Sequence, residues 1–145
     1  MTETSFVPLN WQELTLRLSI AFIVGATIGL EREIKSKPAG LRTNILVCFS
    51  SALIVIVPIQ IGAAQQNLDV LGRVISGVIT GVSFIGGGTI LRDPDRVKGL
   101  TSAAAIWVTA VLGITIGCGL LWLGIIGATV TWVVLRLFAI WEKKL

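Results

Sequence analysis

Histidine is absent from this chain, cysteine occurs twice, and only 14% of the residues are charged. Each shortage closes off a class of chemistry. Without histidine or a cysteine cluster there is no zinc site of ordinary ligand spacing. No nucleophile–base pair, Walker loop or HExxH is present, and Gly86-Gly87-Gly88-Thr89 lacks the Lys-Ser/Thr that completes a phosphate loop. An enzyme is therefore not expected, and neither is a cofactor. Cys48 and Cys118 lie 70 residues apart in different parts of the pattern drawn below. A disulfide needs Cα atoms within about 7 Å, so both read as small packing residues.

Carboxylates are missing where they would matter most. All eight Asp and Glu fall outside the long apolar runs, with Glu31 the nearest. Proton relays and coupled transporters usually rely on intramembrane acids or histidine. Magnesium is usually held by one or two carboxylates with several retained waters. A midplane Mg²⁺ or H⁺ site built from side-chain carboxylates is thus not expected, and Glu31 is the single metal-ligand candidate.

What the chain has in abundance is apolar length. It is 54% hydrophobic, with a mean hydropathy of +0.88. Five apolar runs stand out: Leu14–Leu30, Ile45–Ala64, Val74–Leu91, Ser102–Gly117 and Leu120–Ile140. Each approaches the roughly 20 residues that a helix needs to cross about 30 Å of hydrocarbon. The expected fold is all-α, a bundle of five transmembrane helices in one domain over residues 1–145. No basic region precedes the first run, so no removable signal peptide is expected.

The basic residues orient that bundle. The segment after the first run holds Arg32, Lys35, Lys37 and Arg42; the one after the third holds Arg92, Arg96 and Lys98; the tail holds Lys143 and Lys144. The intervening segments hold only Arg73. Basic loops are retained in the cytoplasm, which predicts an outer N-terminus and an inner C-terminus. The same rule accounts for a pI near 9.6, so nucleic acid is not an expected partner. Trp11 is placed to anchor the first helix at the outer interface, with Arg17 snorkelling toward it. Pro58 removes a backbone hydrogen bond from the second helix. Arg136, Trp141, Glu142, Lys143 and Lys144 read as the inner anchor of the fifth.

Small residues recur at helix-packing spacing: Gly25 with Gly29, Gly77 with Gly81, Gly113 with Gly117. Such pairs let helix backbones approach closely in lipid, and they predict tight packing of the first, third and fourth helices. The run Gly86, Gly87, Gly88 predicts local unwinding, a close backbone neighbour or a flat packing face.

Part of the first run echoes in the third. Phe22–Ile28 and Phe84–Ile90 agree at five of seven positions. Each is followed by a basic loop with a proline, Pro38 or Pro94, and then by Gly40-Leu41-Arg42-Thr43 or Gly99-Leu100-Thr101. Both copies run in one direction, which predicts a parallel repeat about an axis along the membrane normal. The echo gathers polar residues at one end: Glu31, Arg32 and Glu33; Arg42, Thr43 and Asn44; Arg92, Asp93, Asp95, Arg96 and Lys98; Thr101 and Ser102. Thr101 and Ser102 are placed to cap the fourth helix, and Arg42 is expected to pair with Glu31 or Glu33.

With these blocks in view, the chain resembles the membrane domain of the MgtC/SapB family. The resemblance rests on Gly29-Leu30-Glu31-Arg32-Glu33, Ala39-Gly40-Leu41-Arg42-Thr43-Asn44, Ile75-Ser76-Gly77, Phe84–Ile90 and Val97-Lys98-Gly99-Leu100-Thr101-Ser102-Ala103-Ala104-Ala105-Ile106-Trp107. It implies a multi-pass protein of the bacterial inner membrane, linked to magnesium limitation, with the F-type ATP synthase as one implied partner. Longer members add a soluble domain; this chain resembles the short form. Two readings follow. In the first, a non-enzymatic regulator docks a membrane partner or a second copy through glycine-rich faces. In the second, a small transporter or channel has its site at the cytoplasmic mouth, lined by Thr27, Thr89, the carbonyls near Gly86–Gly88, and Glu31. The collar residues expected to matter are Glu31, Arg32, Arg42, Thr43, Asn44, Lys98 and Thr101. The packing residues are Gly25, Gly29, Gly77, Gly81, Gly86, Gly87, Gly88, Thr89 and Trp107.

Overall fold

A computed structural model of the protein describes residues 8–138. Its elements run α1 (Trp11–Ile34), α2 (Leu41–Gln60), a short α3 (Ala63–Gln66), α4 (Asp69–Gly88), a hairpin of β1 (Leu91–Arg92) and β2 (Val97–Lys98), α5 (Leu100–Gly117) and α6 (Leu121–Val133), which continues as a π-helical turn over Val134–Phe138. Four helices are long and apolar enough to cross a membrane, and Leu121–Leu137 is a shorter apolar fifth. The tail beyond residue 138, with Trp141, Glu142, Lys143 and Lys144, lies outside the described residues.

Local chemistry sets the helix ends. The Asn10 side chain accepts from the Glu13 N–H at 2.8 Å and starts α1, satisfying one of the free donors of the first turn. Glu33 does the same for α2 from across the turn, accepting from the Leu41 N–H at 2.9 Å. Its carboxylate fills the space where a Cβ of Gly40 would stand. A side chain at Gly40 of the Ala-Gly-Leu-Arg-Thr-Asn block would therefore have to displace the Glu33 carboxylate from the start of α2. Gly99 begins α5 in the left-handed region with φ +91, its α-carbon against the Thr89 carbonyl. No side chain caps α5; the capping expected of Thr101 and Ser102 is not made, because Ser102 is turned into the bundle instead.

The helix at the centre is α2, which contains no glycine. Added Cβ atoms at Gly25 and Gly29 would lie 2.7 Å from the Asn44 carbonyl oxygen and 2.8 Å from the Leu41 Cα. On the other side, one at Gly113 would collide with the Cys48 carbonyl oxygen, and one at Gly117 would lie 2.7 Å from the Ala52 oxygen. Two glycine pairs thus admit the same helix from opposite flanks. Its Cys48 and Ala52 pack with Ile28 and Ile116 toward one end, and its Val55, Ile56 and Ile59 with Leu71 and Ile114 toward the other. Both cysteines are free thiols.

The third glycine pair behaves differently. Gly77 and Gly81 have nothing within 4 Å, and neither do Gly87 and Gly88. The expected tight packing of this helix is corrected: α4 meets α5 through Gly86, whose added Cβ would sit 3.4 Å from the Ala103 oxygen. Only 17% of the apolar window of α4 is buried, against 56% of that of α5. The glycine run is not unwound either, for α4 remains helical through Gly88. Trp107, expected to pack, is 45% exposed, because its neighbours Ile106 and Ala110 fill the inward face of α5.

Neighbour relations follow the expected repeat. The pairs α1–α2 and α4–α5 each pack together, α2 and α5 meet at the centre, and the diagonals α1–α5 and α2–α4 also touch. A twofold exchange of the two hairpins gives the same set. Only α6 breaks it, lying against α5 and α1.

Candidate functional site

The end of the bundle that carries both Gly-Leu turns holds an unusual set of buried polar groups. Glu31 and Arg32 are 6% and 3% exposed, and Asn44, Ser102 and Thr109 are buried beside them on α2 and α5. Burying such groups in an apolar bundle is costly unless they are bonded, and most of them are.

Asn44 is the hub of the first half. Its amide nitrogen donates to the carbonyls of Ala39 and Gly40 at 2.6 and 3.0 Å. Its amide oxygen accepts from the Thr109 hydroxyl at 3.0 Å. One side chain therefore closes the turn before α2, where Ser36 and Ala39 have φ of 50 and 58, and ties α2 to α5. Aligning Gly40-Leu41 with Gly99-Leu100 matches Ser102 to Thr43, one position before Asn44 in its own repeat. Ser102 is likewise buried, and its hydroxyl accepts from Arg32 Nη2 at 2.7 Å. Each repeat thus offers one buried polar side chain to another helix.

Glu31 does not pair with Arg42. Its carboxylate is held by the Lys35 ammonium one helical turn on, while Arg42 points outward. The reason is register: α2 turns Asn44 and Leu41 toward α1, which leaves Arg42 on the far side. Lys35 also donates to the Leu135 carbonyl at 2.9 Å, pinning the end of α6 to α1. Among the described residues, Glu31 Oε2 and Arg32 Nε have no hydrogen-bond partner. Lys98 forms an exposed pair with Asp93 at 2.9 Å across the hairpin turn, a type that contributes little. Thr43 is half-buried and Thr101 faces outward.

The proposed lining of a mouth is not assembled. Thr27 faces outward and donates to its own helix at Ile23. Thr89 donates to Gly86 at 2.8 Å, on a helix that forms no packed pair with α1. Glu31 is the only acid of the first collar segment that is buried, and among the described residues no three acids or thiols gather as a metal site would need.

Sequence reasoning missed three participants. Lys35 was legible as the residue four positions after Glu31. Thr109 is a hydroxyl in an otherwise apolar helix. Arg17 was expected to snorkel toward the interface; its guanidinium donates to the Gly117 carbonyl at 2.9 Å, at the negative end of α5.

Comparison with known proteins places this arrangement. The sequence profile of the MgtC family matches residues 18–144. The chain is 48% identical over 132 residues to "Protein SrpB" of Synechococcus elongatus, covering 84% of this chain and 72% of that one. It is 45% identical over 130 residues to "Putative magnesium transporter YhiD" of Escherichia coli, covering 87% and 60%. "Protein MgtC" of Salmonella typhimurium is 36% identical over 104 residues, covering 72% and 43%. The chain thus spans less than two thirds of each of the latter two proteins. No solved structure matches. The glycine contacts on α2, the four apolar helices and the matched length lead to one conclusion: this chain is a multi-pass membrane protein that belongs to the MgtC family.

Proposed function

We propose that the protein is a non-enzymatic component of the bacterial inner membrane, tied to magnesium homeostasis, that acts by associating with a membrane partner through the outer face of α4. The observation that carries this reading is the contrast among glycines. Gly25, Gly29, Gly113 and Gly117 are all consumed by contacts to α2, whereas Gly77 and Gly81 meet nothing. An open pair of this spacing suits close approach of another helix in lipid. That helix belongs to a partner such as the F-type ATP synthase, which the family resemblance alone suggests, or to a second copy. The magnesium link rests on family membership and on the name that YhiD carries. Replacing Gly77 or Gly81 with Leu is expected to abolish assembly, read by crosslinking in membranes, and to abolish growth at low Mg²⁺ with normal protein level. Full growth and unchanged crosslinking would overturn the proposal.

A second reading, a small Mg²⁺ transporter or channel, is favoured by the buried Glu31 with its free Oε2. Purified protein in liposomes loaded with a Mg²⁺ indicator separates the two. Flux that Glu31→Gln abolishes would establish the transporter and remove the pure docking role.

A further inference from the structure

Between α1 and α6 runs an apolar groove of about 380 Å³, walled by Ile20, Val24 and Thr27 on one side and Ile125, Thr129 and Trp132 on the other. Both walls follow helical spacing, and both continue by one turn onto charge. On α1 the same face leads from Thr27 to Glu31 and Lys35. On α6 it leads from Trp132 to Arg136, whose guanidinium lies over the Trp132 ring at 5.0 Å from the centroid. The groove is therefore apolar along its length and basic at one end. At that end, among the described residues, the buried carboxylate is Glu31, set against Arg32, Lys35 and Arg136. Arg32 is buried against Ser102, so the cations that reach the surface are Lys35 and Arg136.

We infer that this groove is a binding site for an anionic phospholipid, one acyl chain lying between α1 and α6 and the phosphate resting against Arg136 and Lys35. The occupant follows from charge complementarity. An apolar slot open to lipid on its side accepts an acyl chain of any lipid, so selectivity has to come from the head. Basic pockets between membrane helices recognise anionic headgroups, and a guanidinium presents paired donors that match phosphate oxygens. Stacking on Trp132 holds the Arg136 fork in place. Lys35 completes the mouth, for its ammonium is anchored on both walls at once, by Glu31 on α1 and by the Leu135 carbonyl on α6. The site lies on the opposite flank from Gly77 and Gly81, so its fate is independent of the docking face on α4.

The test is native mass spectrometry of the full chain in detergent, titrated with phosphatidylglycerol, with phosphatidylcholine of the same acyl chains, and with inorganic phosphate. Phosphatidylglycerol is expected to bind tighter than phosphatidylcholine by about fivefold or more, the usual worth of one Lys or Arg near anionic lipid. Arg136→Gln should remove that preference and leave phosphatidylcholine binding unchanged. Thr27→Phe, which fills the groove from an outward position without touching the core, should weaken phosphatidylglycerol binding while phosphate binding stays as it was. Equal binding of the two lipids to the unmodified protein would overturn the inference. So would undiminished preference in Arg136→Gln, or full displacement of phosphatidylglycerol by an equal concentration of phosphate.

Discussion

The hydroxyl of Thr109 and the amide oxygen of Asn44, both fully buried, are joined at 3.0 Å across the interface of α2 and α5. Because Asn44 also closes the Ala39-Gly40 turn, its loss breaks three bonds at once. Asn44→Leu is expected to cost about 1–3 kcal/mol through carbonyls and a hydroxyl left unpaired. Thr109→Val should cost less, and the pair should couple by about 0.6 kcal/mol, with about 1.7 as a ceiling for such bonds in a membrane. Unfolding in mixed SDS and mild detergent, run as a double-mutant cycle, measures this. A coupling of zero would show that the bond contributes nothing.

Glycines on α5 and α4 should respond oppositely to a single methyl. Gly113→Ala drives a Cβ into the Cys48 carbonyl oxygen, which forces the backbones apart and should cost about 1–3 kcal/mol. Gly77→Ala meets open space and should leave the stability of the isolated chain unchanged or slightly raised. The comparison is a thermal melt of both variants in detergent. Equal destabilisation would mean that α4 is packed as tightly as α5.

Charge coupling at the buried end should follow the helix turn. Glu31→Gln and Lys35→Met are expected to be non-additive by about 0.5–3 kcal/mol, as contacting pairs are. Glu31→Gln and Arg42→Gln should be additive, since Arg42 faces away. Both cycles can be read from the denaturation midpoint of the purified protein. Coupling in the second cycle but not the first would show that Arg42 holds Glu31.

At the opposite end, Arg17→Met removes a cation from the last carbonyls of α5 and should cost about 0.3–1 kcal/mol, rising to about 2 in a partly buried setting. Gly119→Ala should do worse. Its φ is +86, and an added Cβ would fall 2.8 Å from Arg17 Nη2. Left-handed backbone alone costs a non-glycine residue roughly 1–2 kcal/mol, and the methyl also displaces the arginine. A Gly119→Ala protein as stable as Arg17→Met would exclude the contact.

The apolar runs were legible because hydrocarbon thickness imposes a length that composition displays directly. Their ends were less so. The first helix reaches from Trp11 to Ile34 rather than from Leu14 to Leu30, since Asn10 caps it and the bundle buries Glu31 and Arg32. Gly25, Gly29, Gly113 and Gly117 were rightly read as points of close approach. That all four approach α2 was not readable, because spacing on one helix says nothing about which neighbour it meets. For the same reason Gly77 and Gly81, alike in spacing, turned out to pack against nothing in the chain. The collar was read as charges pairing at a surface. Asn44 was named, but its bond to Thr109 depends on a register between helices 65 residues apart. The hairpin Leu91–Lys98 was seen only as a basic loop, since two-residue strands leave no periodicity to detect.

The polar ties of α1 also set an order of events. Arg17 waits for Gly117, Lys35 for Leu135 and Arg32 for Ser102, separations of 100, 100 and 70 residues. At a synthesis rate of about 5–20 residues per second, the farthest partners emerge roughly 5–20 s after α1 itself. Until then Lys35 has Glu31 of its own helix, while Arg17 and Arg32 rest against water and headgroups, which are within reach because both sit near an end of the helix. A helix made well before α5 and α6 is therefore fastened only when they arrive.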